Sequence, residues 1–224
     1  AKVGKEILKG ILESDSNAPY LGEVALVENN SPISNTNIVY GLTLIDENAS
    51  CHIALGRGYG VGTKKEMEKQ GIAVDISHLN EKSFRDVSSY ATLPIVASHS
   101  NCYDVFPHPR NLKKYQLEFI KDTGGLIGLC FYKQFLTEEN ENLFSCILKN
   151  IEYLLELGCE NNIALGSDFD GCENSFEIKG VQSIPQLYFY LREKGINEKT
   201  LENIFYNNSE NFFNSLLFRQ SVIE

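Results

Sequence analysis

Six short apolar runs punctuate the chain. They are Val24–Glu28 (VALVE), Ile38–Leu44 (IVYGLTL), Ile72–Ser77 (IAVDIS), Pro94–Ser98 (PIVAS), Leu126–Phe131 (LIGLCF) and Ile163–Ser167 (IALGS). None alternates strictly between apolar and polar positions, which is the pattern of strands covered on both faces in a parallel sheet. Between the later runs the apolar period lengthens to that of a helix. Lys64–Lys69 runs into Gly71, and Glu81–Ser89 follows the capping candidate Asn80. Lys113–Asp122 sets Leu117 and Ile120 on one face and stops at Gly124–Gly125; Leu143–Leu157 stops at Gly158, and Ser183–Lys194 at Gly195. Asn197 is placed to cap Glu198–Phe205, with Ile196 and Leu201 forming a hydrophobic staple, and Ser209–Phe218 closes the series. Strand followed by helix, repeated roughly every thirty residues, predicts parallel β/α units. Asn29–Asn37 reads as loop, and the Gly-rich stretch Asp46–Gly62 as an irregular rim or cover. No linker or repeat divides residues 1–224, so one domain is expected.

Several of these runs end on polar residues: Glu28, His78, His99 and Asp168. The carboxyl ends of parallel strands are where β/α folds gather their chemistry. Two of only four histidines thus stand at equivalent places on neighbouring strands. Imidazole nitrogen at a strand end either binds zinc or caps the structure by hydrogen bonding. Asp168 and Asp170, in SDFDG, can bind a metal, accept a proton or hold an ammonium group, and the same pattern also serves as a plain turn. Glu28 has the two oxygens needed to bridge two metals, although a lone strand-end Glu is more often surface. Arg110, in HPRN, can pair with a carboxylate; most arginines are simply solvated. His108 is a candidate rim residue.

Composition narrows the function classes. The 224 residues are 42% hydrophobic and 22% charged, as in soluble globular domains. Lys plus Arg number 20 against 30 Asp plus Glu, a formal charge of -10. Such a surface repels phosphate backbones, so nucleic acid is not expected as a partner. No apolar stretch reaches membrane-spanning length, and the first residues carry no signal-peptide pattern. The six cysteines are scattered without a CxxC pair, which predicts a reducing, cytoplasmic setting. Gly56–Arg57–Gly58–Tyr59–Gly60 lacks both the Walker and the Rossmann spacing, and no GxSxG occurs.

Five motifs together resemble the renal or membrane dipeptidase family of zinc peptidases. They are DISH (Asp75–His78), SHS (Ser98–Ser100) followed by Asn101, HPRN with Arg110–Asn111, GGLIG (Gly124–Gly128) and GSDFDG (Gly166–Gly171). The resemblance is good from about Thr63 onward and thinner over Val24–Ala54. It implies a TIM-type β/α barrel of the metallo-dependent hydrolase kind with a two-zinc centre. His78 and His99 then correspond to ligands of one zinc, and Glu28 to the carboxylate bridging both. Arg110 corresponds to the residue holding the substrate's C-terminal carboxylate, and Asp168 to the catalytic acidic residue near its amino end. The implied activity is hydrolysis of dipeptides by a metal-activated water.

The chain also departs from that pattern. The family opens with a His-x-Asp pair on its first strand, and no such pair occurs here, so a barrel lacking its first one or two strands is expected. Asn29 rather than Gly follows Glu28, and Leu44 stands where some members carry a substrate-binding His. An open barrel exposes sheet edges, which predicts instability, aggregation or pairing with a partner such as a second copy in a homodimer. Two other readings remain open on the sequence: an amide or lactam hydrolase on the same scaffold, and a degenerate, non-catalytic binding protein.

Overall fold

The computed structural model describes residues 38–42, 52–57, 72–138, 141–169, 171–173 and 175–220. The expected strand Val24–Glu28, the helix Lys64–Lys69, Leu44 and Asp170 lie outside these residues, and so does the metal-bridging candidate Glu28.

Six strands form one sheet in sequence order: β1 (Ile38–Leu42), β2 (His52–Arg57), β3 (Ile72–Asp75), β4 (Val96–Ala97), β5 (Leu126–Cys130) and β6 (Ile163–Ser167). From β2 to β6 every neighbour is parallel, as the apolar runs predict. Two findings correct the sequence reading. β1 runs antiparallel to β2, with Ile38 opposite Arg57 and Leu42 opposite Ile53. β2 itself lies inside Asp46–Gly62, the stretch expected to be irregular. Its apolar core is only Ile53–Leu55 and Gly56 follows. It is a strand because β1 and β3 pair with it on both sides, a long-range reason that local propensity does not carry.

Helices α1 (Glu81–Tyr90), α2 (Lys114–Asp122), α3 (Leu143–Glu156), α4 (Ile184–Glu193), α5 (Glu198–Glu202) and α6 (Asn208–Gln220) fall where the periodicity places them. Asn80 and Asn197 cap as expected, accepting from the N–H groups of Ser83 and Thr200. Gly124, Gly158 and Gly195 hold positive φ after α2, α3 and α4. The next residue in each case returns its N–H to the carbonyl of Ile120, Leu154 or Leu191, closing the helix end. The break expected after Phe205 is instead a π turn, Asn203–Asn207, running directly into α6. Asn208 does not cap; its side chain donates to the carbonyls of Ile163 and Glu160, anchoring α6 below β6.

Period-two alternation gives the sheet two faces. Val74, Ile76, Ile95, Ala97, Ile127, Leu129 and Ile163 belong to the larger core, shared with α1 to α5. Ala73, Val96, Leu126 and Ala164 face the other way and are covered by Phe212 and Leu216 of α6. Two residues further along β3, β5 and β6, the same alternation brings Asp75, Gly128 and Gly166 to that second face, with Ser98 just past β4. This layer carries the site.

Candidate metal and substrate site

A carboxylate in an apolar strand is costly unless fully paired, and Asp75 in IAVDIS is 2% exposed. Its Oδ1 accepts the backbone N–H groups of both Ser77 and Ser98 at 3.0 Å. Its Oδ2 accepts from Ser98 Oγ. The carboxylate thereby takes the N–H groups that would continue β3 and β4. That is why both strands end earlier than their apolar runs. The chain turns immediately, delivering His78 and His99 to one point.

The two imidazoles meet through their Nε2 atoms, 2.8 Å apart. On its far side His99 Nδ1 lies 2.7 Å from Ser98 Oγ, and its backbone N–H donates to Ser77 Oγ at 2.9 Å. On the far side of His78, Nδ1 lies 3.0 Å from an Arg110 terminal nitrogen, which also donates to the Ser77 carbonyl at 2.7 Å. The Arg110 guanidinium stands over the Phe135 ring at 5.3 Å, and His108 packs on the same ring while its Nδ1 accepts the Arg110 backbone N–H.

The shorter contacts at the two ends of this chain fix its direction; the other Arg110 terminal nitrogen stands 3.5 Å from His78 Nε2, at the limit of hydrogen bonding. A guanidinium only donates and a carboxylate only accepts. His78 Nδ1 therefore accepts from Arg110, so neutral His78 carries its hydrogen on Nε2 and donates it to His99 Nε2. His99 then carries its hydrogen on Nδ1 and donates to Ser98 Oγ, which donates to Asp75. Partial burial of its ring lowers the His78 pKa below the ordinary 6.5, and the neighbouring Arg110 and His99 charges add to that; Asp75 and Asp168 act in the opposite sense. A metal requires the neutral ring, with the Nε2 hydrogen moved to Nδ1 if it is to bind at the shared point.

Asp168 follows β6 in strained backbone. Ser167 and Asp168 both have positive φ, 36° and 69°. The Asp168 N–H reaches back to the Gly166 carbonyl at 2.6 Å, a three-residue turn that side-chain-bearing residues rarely adopt. A Cβ at position 171 would stand 2.1 Å from Asp168 Oδ1, so glycine there leaves room for the carboxylate. An open cleft of about 830 Å³ adjoins the site on the Arg110 side, lined among others by His78, Leu79, Tyr103, Arg110 and Lys113.

The structure thus brings together His78, His99 and Arg110, with Asp168 close enough to act on His78. Asp75, Ser98 and Phe135 were not singled out as working parts. The signal for Asp75 was present: a lone acidic residue in a strand otherwise apolar to Ile76.

The membrane dipeptidase family (peptidase family M19) profile matches residues 58–215. The chain belongs to this family. A second profile, thermophilic metalloprotease (M29), matches residues 1–83, overlapping the first over residues 58–83. An uncharacterized protein in the pqqA 5′ region of Klebsiella pneumoniae is 36% identical over 153 residues, covering 66% of this chain and 56% of that protein. The dipeptidase tcpJ of Claviceps purpurea is 28% identical over 144 residues, covering 62% and 33% respectively. A crystal structure of a metallopeptidase from Rhodobacter sphaeroides, liganded with a phosphinate mimic of the dipeptide L-Ala-D-Ala, superposes with a TM-score of 0.66 at 32% identity. That match covers 71% of this chain and 47% of the other. The chain therefore spans from a third to just over half of these relatives.

Membership in the dipeptidase family implies metal dependence, typically on zinc. The histidine pair fits that requirement. Two ligands on tetrahedral zinc, with bonds near 2.0–2.1 Å, stand about 3.3 Å apart. The 2.8 Å separation opens to that by a small side-chain adjustment, and His78 would ligate once its Nε2 hydrogen moves to Nδ1 and Arg110 turns aside. Among the described residues no group of three or more His, Cys, Asp or Glu side chains that could hold a metal ion converges. Glu28 precedes the dipeptidase match and lies within the second one, so the family alignment does not reach it. Five of the six cysteines are described and all five are free thiols. Among the described residues no helix is long and apolar enough to cross a membrane.

Glu81 ties α1 to the Arg110 loop. Its carboxylate pairs with Lys113 at 2.7 Å and Arg85 at 2.8 Å. Those hydrogen bonds, Lys113 first, lower its pKa from 4.5 to about 2. A depressed carboxylate pKa adds stability that is present above the unfolded value and is lost as pH falls through the folded one. The window here is therefore about pH 4.5 down to about 2. Carboxyl-detected NMR should find Glu81 titrating near the lower value. A midpoint near 4.5 would show that solvent dissolves these exposed pairs.

Proposed function

We propose that this chain carries the histidine and substrate-anchoring part of a zinc dipeptidase site on a β/α barrel, and that the reaction served is hydrolysis of the peptide bond of dipeptides. The observation that carries the reading is the convergence of His78 and His99 Nε2 at 2.8 Å beside a guanidinium seated on Phe135. The parallel run β2 to β6 supports the barrel. His78 and His99 would hold one metal; when bound, it would supply a Lewis acid and an activated water. Arg110 binds the free carboxylate of the substrate and so selects short peptides with an open C-terminus. Asp168, held in its strained turn close enough to act on His78, pairs with the substrate amine or carries a proton to the leaving group. Glu28 is not part of this proposal.

The test is turnover of free dipeptides against the same dipeptides amidated at the C-terminus, in the presence of zinc. Selective cleavage of the free form, with Arg110→Ala raising KM about tenfold or more while kcat changes less, is the expected result. Equal cleavage of both forms, or of cyclic amides in preference, would instead point to a general amide hydrolase. A second reading, metal binding without hydrolysis, is favoured by the two-histidine ligand set of the described residues. Zinc uptake with no turnover of any dipeptide would establish it.

A further inference from the structure

The two histidines are not equivalent, although each stands at a strand end. The hydrogen-bond chain derived above leaves His99 with its hydrogen on Nδ1 and its Nε2 lone pair directed at the shared point. His78 has the reverse arrangement, its Nδ1 occupied by a donor. We propose that Asp75 and Ser98 act as positioning residues, which set His99 in the metal-competent tautomer before any metal arrives. The inference builds on the metal-site reading above.

Three observations carry it. Asp75 is buried, and its oxygens accept from two backbone N–H groups and one hydroxyl. Ser98 Oγ lies within hydrogen-bond distance of both Asp75 Oδ2 and His99 Nδ1, so it transmits the acceptor character of the carboxylate to the ring. Ser77 closes the arrangement: its Oγ accepts the His99 backbone N–H and sits 3.3 Å from Ser98 Oγ. Ser98 thus donates once, to Asp75, and accepts from His99 and Ser77, which uses the full capacity of a hydroxyl. Neither residue touches the converging Nε2 atoms, and their influence passes wholly through the ring of His99.

Asp75→Asn is the sharpest probe because it keeps the shape and Oδ1, and with it both backbone bonds. The new amide donates where Oδ2 accepted. Ser98 can then turn its hydroxyl hydrogen toward His99 Nδ1 while Arg110 still holds the His78 Nε2 hydrogen toward His99 Nε2, so the two ends compete and the His99 hydrogen divides between Nδ1 and Nε2, where it blocks metal. Long-range ¹H–¹⁵N NMR on the metal-free 224-residue chain reads this directly. The wild type is expected to show His99 protonated on Nδ1 alone, and Asp75→Asn a mixture of the Nδ1 and Nε2 tautomers. Zinc affinity, measured by competition with a chromophoric chelator, should fall about 10- to 100-fold, the usual effect of losing such an orienting partner. Ser98→Ala, which removes the intermediary, should give mixed tautomers and a similar loss. Should Asp75→Asn not fold, Ser98→Ala decides alone. An unchanged His99 tautomer in the folded variants would overturn the proposal. Loss of the single tautomer in a chain whose wild type takes up no zinc would leave the positioning role standing and remove the metal reading instead.

Discussion

His99→Ala is expected to lower zinc affinity on the order of a hundredfold, and His78→Ala to do so by a comparable factor. The magnitude follows from ordinary zinc energetics. Four-ligand sites bind with about 10–16 kcal/mol, so one ligand contributes about 3 kcal/mol, and each 1.4 kcal/mol is a factor of ten. Competition titration with a chelator measures it, and metal content after dialysis gives an independent reading. The fold should survive both changes, because the histidines cap the end of the sheet and the apolar core is built elsewhere. Circular dichroism and a denaturation curve serve as the control. Full retention of bound zinc by both variants would sink the assignment of this pair as ligands.

The second large effect concerns residues with no side chain. A Cβ on Gly128 would stand 2.1 Å from the Ser98 carbonyl oxygen, and one on Gly166 would stand 2.0 Å from the same atom. Backbone cannot rotate away as a flexible side chain can. Gly128→Ala and Gly166→Ala should therefore each cost about 3 kcal/mol, the upper end of overpacking, seen as a lower denaturation midpoint. Because both methyl groups push on one carbonyl, the double variant should lose less than the sum. Gly158→Ala is the contrast: its Cβ meets nothing within 4 Å, and only the φ of 75° opposes it. It should cost about 1 kcal/mol. Equal losses at Gly158 and Gly128 would mean that conformational strain, and not the Ser98 carbonyl, is the reason for glycine. Displacing Ser98 also disturbs the hydroxyl that faces His99, so zinc affinity should fall with stability at positions 128 and 166 but not at 158.

Much of this architecture was legible in the sequence. The apolar runs located five of the six described strands, and the helix stops at Gly124, Gly158 and Gly195 held. His78 and His99 were legible because a strand end is a local feature. What escaped was long-range. β2 is a strand only through its two neighbours. Asp75 lies three residues before His78, a spacing that points away from it. Its effect reaches the other histidine, across β4 and through Ser98. Gly128 and Gly166 were visible as motif glycines, but the carbonyl they make room for belongs to a residue thirty or more positions earlier in the chain. Phe135 sits in a short 3-10 turn, Lys133–Phe135, with no pattern to mark it as the seat of Arg110. Glu28 was read from its place at the end of an apolar run and from the resemblance, and it lies outside both the described residues and the dipeptidase match.

The carboxylate that ends β3 and β4 is the same one that faces Ser98, and this gives the site two flanks of unequal evolvability. On the Asp75 flank, a substitution changes strand length and the setting of His99 in one step, so few single changes leave a folded intermediate from which selection can proceed. On the Arg110 flank, the guanidinium comes from a loop bordering an open cleft, and its neighbours can vary without re-terminating a strand. Divergence in substrate among chains of this kind should accumulate on the loop side, while the buried side stays fixed. A directed-evolution library aimed at new specificity belongs at Tyr103, Pro109 and Lys113 around the cleft, with Asp75, Ser77 and Ser98 left untouched.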